Sequence, residues 1–322
     1  MAEISIGSVL FSLFSLLFGS FILYLGAEGL VRGSSSLALR MRISSLVIGL
    51  TVVSLGTSSP ELIVSLLSAL EGSSSIAIGN VIGSNICNVA LILGLSALFS
   101  PIKMDFKEIS RDIYIMLLVS IVLFLFLLDG QISMLEGAIF TIGIILYIIL
   151  TIYFSRRKNI KSENPLKDIV ILNKKVWFDI FLIIGSLILL VMGANGFLIG
   201  AKEIALFFGA SDALIGLTIV AIGTSLPELA TSLVASIKKK DDISVGNVIG
   251  SNIFNILCIL GIVSLIHPIE SKGITNTDVF VMLGTSALVL VFVLWGATIS
   301  RARGAFLLLC YIAYMGYLIA QM

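Results

Sequence analysis

The sequence predicts an all-α polytopic membrane protein in which ten transmembrane helices form two inverted five-helix repeats. Two observations lead to this prediction. Of the 322 residues, 58% are hydrophobic and only 12% are charged, whereas soluble domains carry about 25% charged residues. In addition, a 40-residue stretch at 49–88 recurs at 216–255 without a gap, an offset of 167 residues. A soluble fold is therefore excluded, and the repeat divides the chain into two related halves.

Ten apolar segments are long enough to cross a bilayer, which takes about 20 helical residues each. They are 5–30, 44–70, 74–99, 111–128, 133–154, 177–200, 211–237, 243–266, 278–299 and 303–320. The first half is predicted to cover 1–155 and the second half 177–322. Between them, residues 156–176 form the longest hydrophilic stretch. We interpret this stretch as a solvated cytoplasmic linker rather than a regulatory segment.

The basic residues determine the predicted orientation, because cytoplasmic loops are enriched in Lys and Arg. With the N-terminus outside, 18 of the 20 basic residues lie on the inner side, and only Lys202 and Lys272 lie on the outer side. Because five is an odd number, the second half must enter the membrane in the opposite orientation, and both termini are then outside. Inverted halves of this kind are typical of secondary transporters, whose binding site lies near the bilayer midplane.

The two copies of the repeat agree at 22 of 40 positions, and many of the shared residues are small or polar. The first copy reads GLTVVSLGTSSPELIVSLLSALEGSSSIAIGNVIGSNICN, and the second reads GLTIVAIGTSLPELATSLVASIKKKDDISVGNVIGSNIFN. Chance similarity between two apolar helices would instead repeat apolar residues. Polar residues kept at membrane depth indicate a functional site.

Two carboxylates, Glu61 and Glu228, lie inside the predicted helices of the repeat. A charged side chain at the bilayer centre costs about 2.5–3.5 kcal/mol on insertion scales. Neither copy contains a Lys or Arg at membrane depth, since Lys238, Lys239 and Lys240 belong to a connecting loop. A bound metal ion is the natural counter-charge for the two carboxylates.

Each glutamate follows a proline, Pro60 or Pro227. Proline has no N–H and its ring clashes with the preceding turn, so the helix must kink or break and leave carbonyl oxygens free. Hydroxyl groups lie within one turn of each break, on Thr57, Ser58, Thr224 and Ser225. Carboxylate, carbonyl and hydroxyl oxygens suit hard cations such as Ca²⁺ and Na⁺, whereas zinc or copper prefers His or Cys.

The second part of each copy, GNVIGSN followed two residues later by Asn, places further oxygens on one helix face. Residues at i, i+4 and i+8 share that face: Asn80, Ser84 and Asn88 in the first copy, and Asn247, Ser251 and Asn255 in the second. Asn80 and Asn247, at the helix starts, are better explained by interhelical hydrogen bonds. Asn85 and Asn252 lie off this face and are predicted to be structural. The GxxxG spacing predicts close helix packing.

The motifs GTSSPEL and GTSLPEL, each followed by GNVIGSNI, resemble the two alpha repeats of sodium/calcium exchangers in the calcium/cation antiporter superfamily. The resemblance covers nearly the whole chain. It implies a multi-pass cell-membrane protein that exchanges Na⁺ for Ca²⁺ by alternating access, in which helices 1 and 6 slide over a fixed core. It also implies that Glu61 and Glu228 bind both ions. The other ligands implied by the resemblance are Thr57, Ser58, Ser84, Asn88, Thr224, Ser225, Ser251 and Asn255, with Ser54 and Ala221 completing the set.

Two positions depart from the family pattern. Ser59 stands where the second copy has Leu226, a difference of little consequence. Asn255 stands where some members carry Asp, so one possible negative charge is absent. This departure leaves the exchange ratio and any participation of K⁺ open.

Other functions are weighed against Na⁺/Ca²⁺ exchange. A Ca²⁺/H⁺ antiporter uses related repeats, but often has an acidic residue near the position of Gly83 and Gly250. A cation channel could use the same oxygens, although inverted repeats favour a transporter. An intramembrane hydrolase would need a Ser–His pair or paired Asp residues, which are absent, so no enzyme is expected. We predict no cofactor beyond the transported Ca²⁺ and Na⁺, the lipid bilayer as surroundings, no nucleic-acid partner and a monomer.

Overall fold

The computed structural model describes residues 6–41, 43–72, 74–159, 176–207, 221–271 and 274–321, and these are almost entirely helical. The first half contains α1 (Ile6–Met41), α2 (Ser45–Thr57), α3 (Ser59–Leu70), α4 (74–99), α5 (Phe106–Phe126) and α6 (Met134–Asn159). The second half contains α7 (Val176–Phe207), α8 (Ala221–Thr224), α9 (Leu226–Ile237), α10 (Asp241–Ile266), α11 (Asn276–Leu294) and α12 (Arg301–Ala320). Four two-residue strands are β1 (Ile102–Lys103), β2 (Gln131–Ile132), β3 (Ile269–Glu270) and β4 (Thr298–Ile299).

Within these ranges, eight helices are long and apolar enough to cross a membrane, and α2 with α3 forms a ninth span if the pair is counted as one. The chain is thus an all-helical polytopic membrane protein. The predicted span 211–237 is described only from residue 221, because its first ten residues lie outside the described part. The predicted linker also lies outside the described part over 160–175.

Several helices are longer than their apolar cores, and the predicted ends of these helices were wrong. α1 continues to Met41, so Arg32 and Arg40 lie in the helix and not in a loop. α6 continues to Asn159, so the first four residues assigned to the linker are helical. α5 begins at Phe106, where the Asp105 side chain accepts a hydrogen bond from the Lys107 N–H and caps the helix. Hydrophobicity marks the part of a helix that lies in lipid, whereas capping decides where the helix ends.

The two helices that carry GNVIGSN form the centre of the molecule. In the apolar 18-residue stretch of α4 and of α10 that would cross the membrane, 78% is buried inside the protein. The corresponding share in α1 and in α7 is 28%. At Gly246 of α10, an added Cβ would lie 2.7 Å from the carbonyl oxygen of Leu46 and 3.1 Å from the Cα of Gly49. Only glycine permits this approach of α10 to α2, which confirms the packing role predicted for GxxxG in the second copy. For the first copy, the equivalent partner stretch lies outside the described residues.

The long helices α1 and α7 form a separate pair. A Cβ on Gly19 would lie 2.3 Å from the backbone nitrogen of Phe197, so the two backbones touch along their length. Arg40 of α1 makes an ion pair with the fully buried Asp179 of α7. The hydrophobic cluster around this pair contains Leu30 and Leu190, and it extends to residues of α2 and α9. The core around α4 and α10 has another, larger cluster.

The short strands were not predicted, and they reveal how the halves are related. β1 pairs with β4 through Ile102 and Ile299, and β2 pairs with β3 through Ile132 and Ile269. At the repeat offset of 167 residues, β3 is the equivalent of β1, and β4 is the equivalent of β2. β1 and β2 flank α5, a helix of 21 residues and hence about 32 Å long. The equivalent strands β1 and β3 therefore lie at opposite ends of α5, so α5 and its counterpart α11 run in opposite directions.

This geometry predicts opposite labelling of equivalent positions. Glu71 and Lys239 are exposed and follow the ends of α3 and α9, close to positions related by the repeat offset. Cysteines introduced singly as Glu71→Cys and Lys239→Cys, in a background without Cys87, Cys258 and Cys310, are expected to react from opposite sides of sealed vesicles. The measurement is the rate of modification by an impermeant maleimide added to one side. Modification of both cysteines from the same side would contradict the inverted arrangement.

Candidate cation-binding site

The site is built on two helix breaks. α2 ends at Thr57 and α3 begins at Ser59, with a 44° bend between the helices. The residue between them, Ser58, has φ −81° and ψ 6°, and its counterpart Ser225 has φ −88° and ψ 7°. Proline follows in the first turn of α3 and of α9, where its missing N–H costs nothing. The predicted breaks are thus confirmed, and each places a glutamate in the first turn of a helix, where the helix dipole favours negative charge.

The two breaks contact each other's carboxylate. Ser58 Oγ of the first half donates a hydrogen bond of 2.9 Å to Glu228 Oε1 of the second half. Ser225 Oγ of the second half donates to Glu61 Oε1 of the first half at 3.3 Å, and it also lies 3.3 Å from Ser84 Oγ. Both glutamates are 1% exposed. The two carboxylates therefore share one buried site between the halves, with a serine of each half holding the glutamate of the other.

The buried carboxylates elsewhere in the described residues are compensated. Asp112 pairs with Arg111 and accepts from the Tyr147 hydroxyl, and Asp179 pairs with Arg40. Asp278 accepts from Thr275 and from the Tyr314 hydroxyl at a helix N-terminus. In contrast, the ion pairs found among the described residues include neither Glu61 nor Glu228. The prediction that these two glutamates have no basic partner holds throughout the described part of the chain.

Several buried oxygen atoms of the predicted ligand set lack a hydrogen-bond partner in the described part of the chain. Among the described residues, six such buried atoms belong to it: Glu61 Oε2, Glu228 Oε2, Asn88 Oδ1, Asn255 Oδ1, Thr224 Oγ1 and Ser251 Oγ. A buried polar atom normally has a partner, so each of these atoms needs an explanation. Thr224 lies close to the Glu61 carboxylate and Ser251 close to that of Glu228. Together these oxygens form a donor set that suits a hard cation.

The remaining predicted ligands make other contacts. The Thr57 hydroxyl donates to Asn247 Oδ1 at 3.1 Å, which ties α2 to α10. The Ser54 hydroxyl donates to the Thr51 carbonyl of its own helix at 3.2 Å, and the Ser54 carbonyl accepts from the Ser58 N–H at 3.0 Å. Ala221 is the first residue of α8. For these positions, as for the rest of the predicted set, the role as a ligand remains a prediction.

The asparagines at the helix starts hold the breaks in place. Asn80 Nδ2 donates to the Glu61 carbonyl at 3.2 Å and to Ser65 Oγ at 3.0 Å. In the second half, Asn247 Nδ2 donates to the Glu228 carbonyl at 3.3 Å and to Ser232 Oγ at 2.9 Å. The interhelical hydrogen bonds expected for Asn80 and Asn247 are confirmed.

The contacts of Ser65 and Ser232 with these asparagines were not predicted. Each serine stands four residues after its glutamate and is identical in both copies, so the repeat itself carried the signal. Also not predicted were the wide π-helical turns at Cys87–Leu93 and Asn255–Leu260, which begin at or next to two predicted ligands. Such turns are frequent at functional sites.

The fold and the site define a polytopic membrane protein with a buried oxygen site between two halves, the arrangement of a secondary transporter. The chain belongs to the sodium/calcium exchanger family, within the calcium/cation antiporter superfamily. The profile of that family, described as "Sodium/calcium exchanger protein", matches residues 11–155 and 178–320. The match covers both halves and leaves out the stretch between them.

Related proteins resemble the chain over nearly its full length. The putative antiporter CaxA of Alkalimonas amylolytica is 39% identical over 307 residues, which cover 92% of this chain and 95% of CaxA. The sodium/calcium exchanger MaX1 of Methanosarcina acetivorans is 34% identical over 339 residues, with 93% and 96% coverage. Among solved structures, the sodium-calcium exchanger NCX_Mj soaked with Na⁺ and Sr²⁺ superposes with a TM-score of 0.82 at 37% identity, covering 96% of this chain and 98% of that one. Multi-pass membrane localisation follows from the family and from the apolar helices.

Neutralising either buried glutamate is expected to weaken ion binding without destabilising the fold. Glu61→Gln and Glu228→Gln are each expected to weaken Ca²⁺ binding by at least about tenfold, because one of two negative charges facing the ion is lost and a factor of ten is only about 1.4 kcal/mol. Neither change should lower the melting temperature without ions, since each removes a buried charge that has no basic partner among the described residues.

The measurements are ⁴⁵Ca²⁺ binding to the purified protein and thermal unfolding in ion-free buffer. Glu71→Gln is the matched control, because Glu71 is exposed at the end of α3. Ca²⁺ binding of normal strength by either buried variant would remove that glutamate from the site.

Proposed function

We propose that the chain is a secondary antiporter that exchanges Na⁺ for Ca²⁺ across the cell membrane by alternating access. One observation carries the proposal: Glu61 and Glu228 are buried together, each held by a serine of the opposite half, and neither takes part in the ion pairs of the described residues. Two carboxylates balance one Ca²⁺ ion. The relatives MaX1 and NCX_Mj, which carry the name sodium/calcium exchanger, support Na⁺ as the counter-ion.

The same two carboxylates explain why transport is an exchange. Ca²⁺ and Na⁺ are both hard cations that bind oxygen ligands, so they compete for one set of atoms. A site that holds two uncompensated carboxylates is costly to enclose in a low-dielectric interior. The binding site then turns from one side of the membrane to the other only when cations neutralise it, so an ion that leaves on one side must be replaced by cations before the site can return. Tight coupling follows from the charge of the site.

Each ligand has a distinct part in this mechanism. The glutamates supply the charge, while the hydroxyls of Ser58 and Ser225 hold one oxygen of each glutamate and leave the other for the ion. The amide oxygens of Asn88 and Asn255 add neutral ligands from the central helices. Neutral oxygens complete the coordination of the ion and add no charge, so Na⁺ can displace Ca²⁺.

The proposal includes the full architecture: ten transmembrane helices as two inverted five-helix repeats, with residues 1–155 and 177–322 as halves and both termini outside. The pairing of β1 with β4 and of β2 with β3 supports the inverted arrangement, and the distribution of basic residues supports the orientation. We further propose that α1 and α7 move as one body over the core. The close packing of the α1 and α7 backbones at glycines such as Gly19 and Gly193 supports a common motion of the two helices.

Coupling to protons is the second candidate. CaxA carries the name putative antiporter without a stated ion, which is compatible with either counter-ion. Two carboxylates can also be neutralised by protons. However, Gly83 and Gly250 stand where an acidic residue is frequent in Ca²⁺/H⁺ exchangers, and this favours Na⁺. An enzyme is not proposed, because relatives that match over most of the chain are named as exchangers or antiporters.

Flux measurements separate the candidates. In proteoliposomes loaded with Na⁺, external ⁴⁵Ca²⁺ is expected to accumulate when an outward Na⁺ gradient is imposed at equal pH. An outward H⁺ gradient without Na⁺ should drive little uptake. Uptake driven by H⁺ alone would establish the Ca²⁺/H⁺ alternative, and Ca²⁺ flux that needs no counter-ion would establish a channel.

Replacing the Asn255 amide by a carboxylate is expected to make Ca²⁺ flux more sensitive to pH or to K⁺. Asn255→Asp adds a third potential carboxylate to a site that already holds two, and like charges held together disfavour full ionisation. The variant should therefore take up a proton or a further cation, so its Na⁺-driven Ca²⁺ flux is expected to depend on pH or K⁺ more steeply than that of the parent. The measurement is flux between about pH 6 and 8, with K⁺ or an inert cation present. Asn276→Asp, at an exposed helix start, is the control. Identical profiles of parent and Asn255→Asp would place residue 255 away from the ions.

A further inference from the structure

A reciprocal pair of asparagines joins the two central helices. Asn85 Nδ2 of α4 donates to the backbone carbonyl of Asn252 at 3.3 Å, and Asn252 Nδ2 of α10 donates to the backbone carbonyl of Asn85 at 3.3 Å. The same nitrogens lie 3.8 Å from Met282 Sδ and 3.6 Å from Met116 Sδ, respectively. Both asparagines are essentially inaccessible to solvent. All the donors of these two amides therefore face the protein core.

These contacts fix which way each amide points. A backbone carbonyl can only accept a hydrogen bond, so the nitrogen of Asn85 and of Asn252 must be the atom that faces it. The oxygen of each amide then points to the other side. There it meets a second asparagine: Asn85 Oδ1 accepts from Asn255 Nδ2 at 2.9 Å, and Asn252 Oδ1 accepts from Asn88 Nδ2 at 3.1 Å.

The hydrogen bonds of Asn85 and Asn252 also fix the orientation of two candidate ligands, the amides of Asn255 and Asn88. Because an amide oxygen cannot donate, Asn88 and Asn255 must present their nitrogens to Asn252 and Asn85. Their own oxygens are turned away from this contact, and both oxygens are buried without a hydrogen-bond partner among the described residues. Asn88 and Asn255 each stand one helical turn after Ser84 or Ser251, on the face that meets the carboxylates. If either amide flipped, it would present an N–H to a cation and repel it.

We propose that Asn85 and Asn252 are positioning residues that lock the amides of Asn88 and Asn255 with their oxygens toward the transported cation. Each half thereby orients a ligand of the other half, since Asn85 of the first half acts on Asn255 of the second. The identity of the cation as Ca²⁺ rests on the proposed function, whereas the locked orientation rests on the hydrogen bonds alone.

A double-mutant cycle tests this role. Asn85→Leu removes the acceptor that holds the Asn255 amide, so the purified protein is expected to bind ⁴⁵Ca²⁺ on the order of tenfold more weakly. In the Asn255→Asp background the same change should cost less than about threefold, because a carboxylate presents an oxygen in either orientation. Equal losses in the two backgrounds would overturn the positioning role, since residues that act independently give additive effects.

Asn80→Leu is the matched control. Asn80 is also an interhelical asparagine, but it donates to the Glu61 carbonyl and to Ser65 and does not contact residue 255. It is expected to lower the melting temperature and to change the Ca²⁺ affinity equally in both backgrounds. If its effect instead depended on residue 255 as strongly as that of Asn85→Leu, the coupling would be general helix packing, and the proposal would fail.

A mirror cycle completes the test. Asn252→Leu combined with Asn88→Asp examines the same rule in the other half, and should show the same dependence on background. A parent protein that binds no Ca²⁺ would overturn the proposed function and this proposal together, whereas a parent that binds Ca²⁺ with additive cycles would overturn the positioning role alone.

Discussion

Glu61 and Glu228 are buried together, and the ion pairs of the described residues include neither of them; the elements around them are arranged to hold this pair. Every other fully buried acid in the described residues is paired with an arginine or saturated with hydrogen bonds, as for Asp112 and Asp278. Glu61 and Glu228 each accept from one serine hydroxyl, and their second oxygens have no hydrogen-bond partner among the described residues. A low-dielectric interior tolerates such a pair only when a cation or a proton neutralises it. Neutralisation of this pair therefore bears on the stability of the protein as well as on its proposed function.

The surrounding elements serve to bring these two groups together. Proline breaks a helix in each half, and the break turns a serine toward the opposite half. Asn80 and Asn247 then bind the carbonyl of the glutamate itself, so the broken helix is held at the residue that carries the charge. The close approach of α2 and α10 at Gly49 and Gly246 lets the Thr57 hydroxyl of α2 reach Asn247 of α10. The reciprocal serine–glutamate contacts between the halves follow from their common sequence.

The same reciprocity gives the core a rigid centre beside a separate pair of helices. In α4 and α10, amides bind backbone carbonyls of the opposite helix, which fixes their register as well as the direction of each amide. α1 and α7 pack on each other through glycines and contact the core on one side, where Lys238 meets Glu28. A centre that holds the candidate ligands and a long helix pair beside it are the two parts that the proposed alternating access requires.

The membrane class, the two halves and the residues of the candidate site were predictable from the sequence. Hydrophobicity, the repeat and the proline–glutamate pairs are local signals, and a helix break after Ser58 or Ser225 follows from the chemistry of one residue. Helix ends were misplaced because caps such as Asp105 do not depend on hydrophobicity. Three contacts are visible only in the folded chain: Ser58 with Glu228, Thr57 with Asn247, and Asn85 with Asn255. These contacts join residues 170, 190 and 170 positions apart, and no local pattern specifies them, because they arise where two similar halves cross.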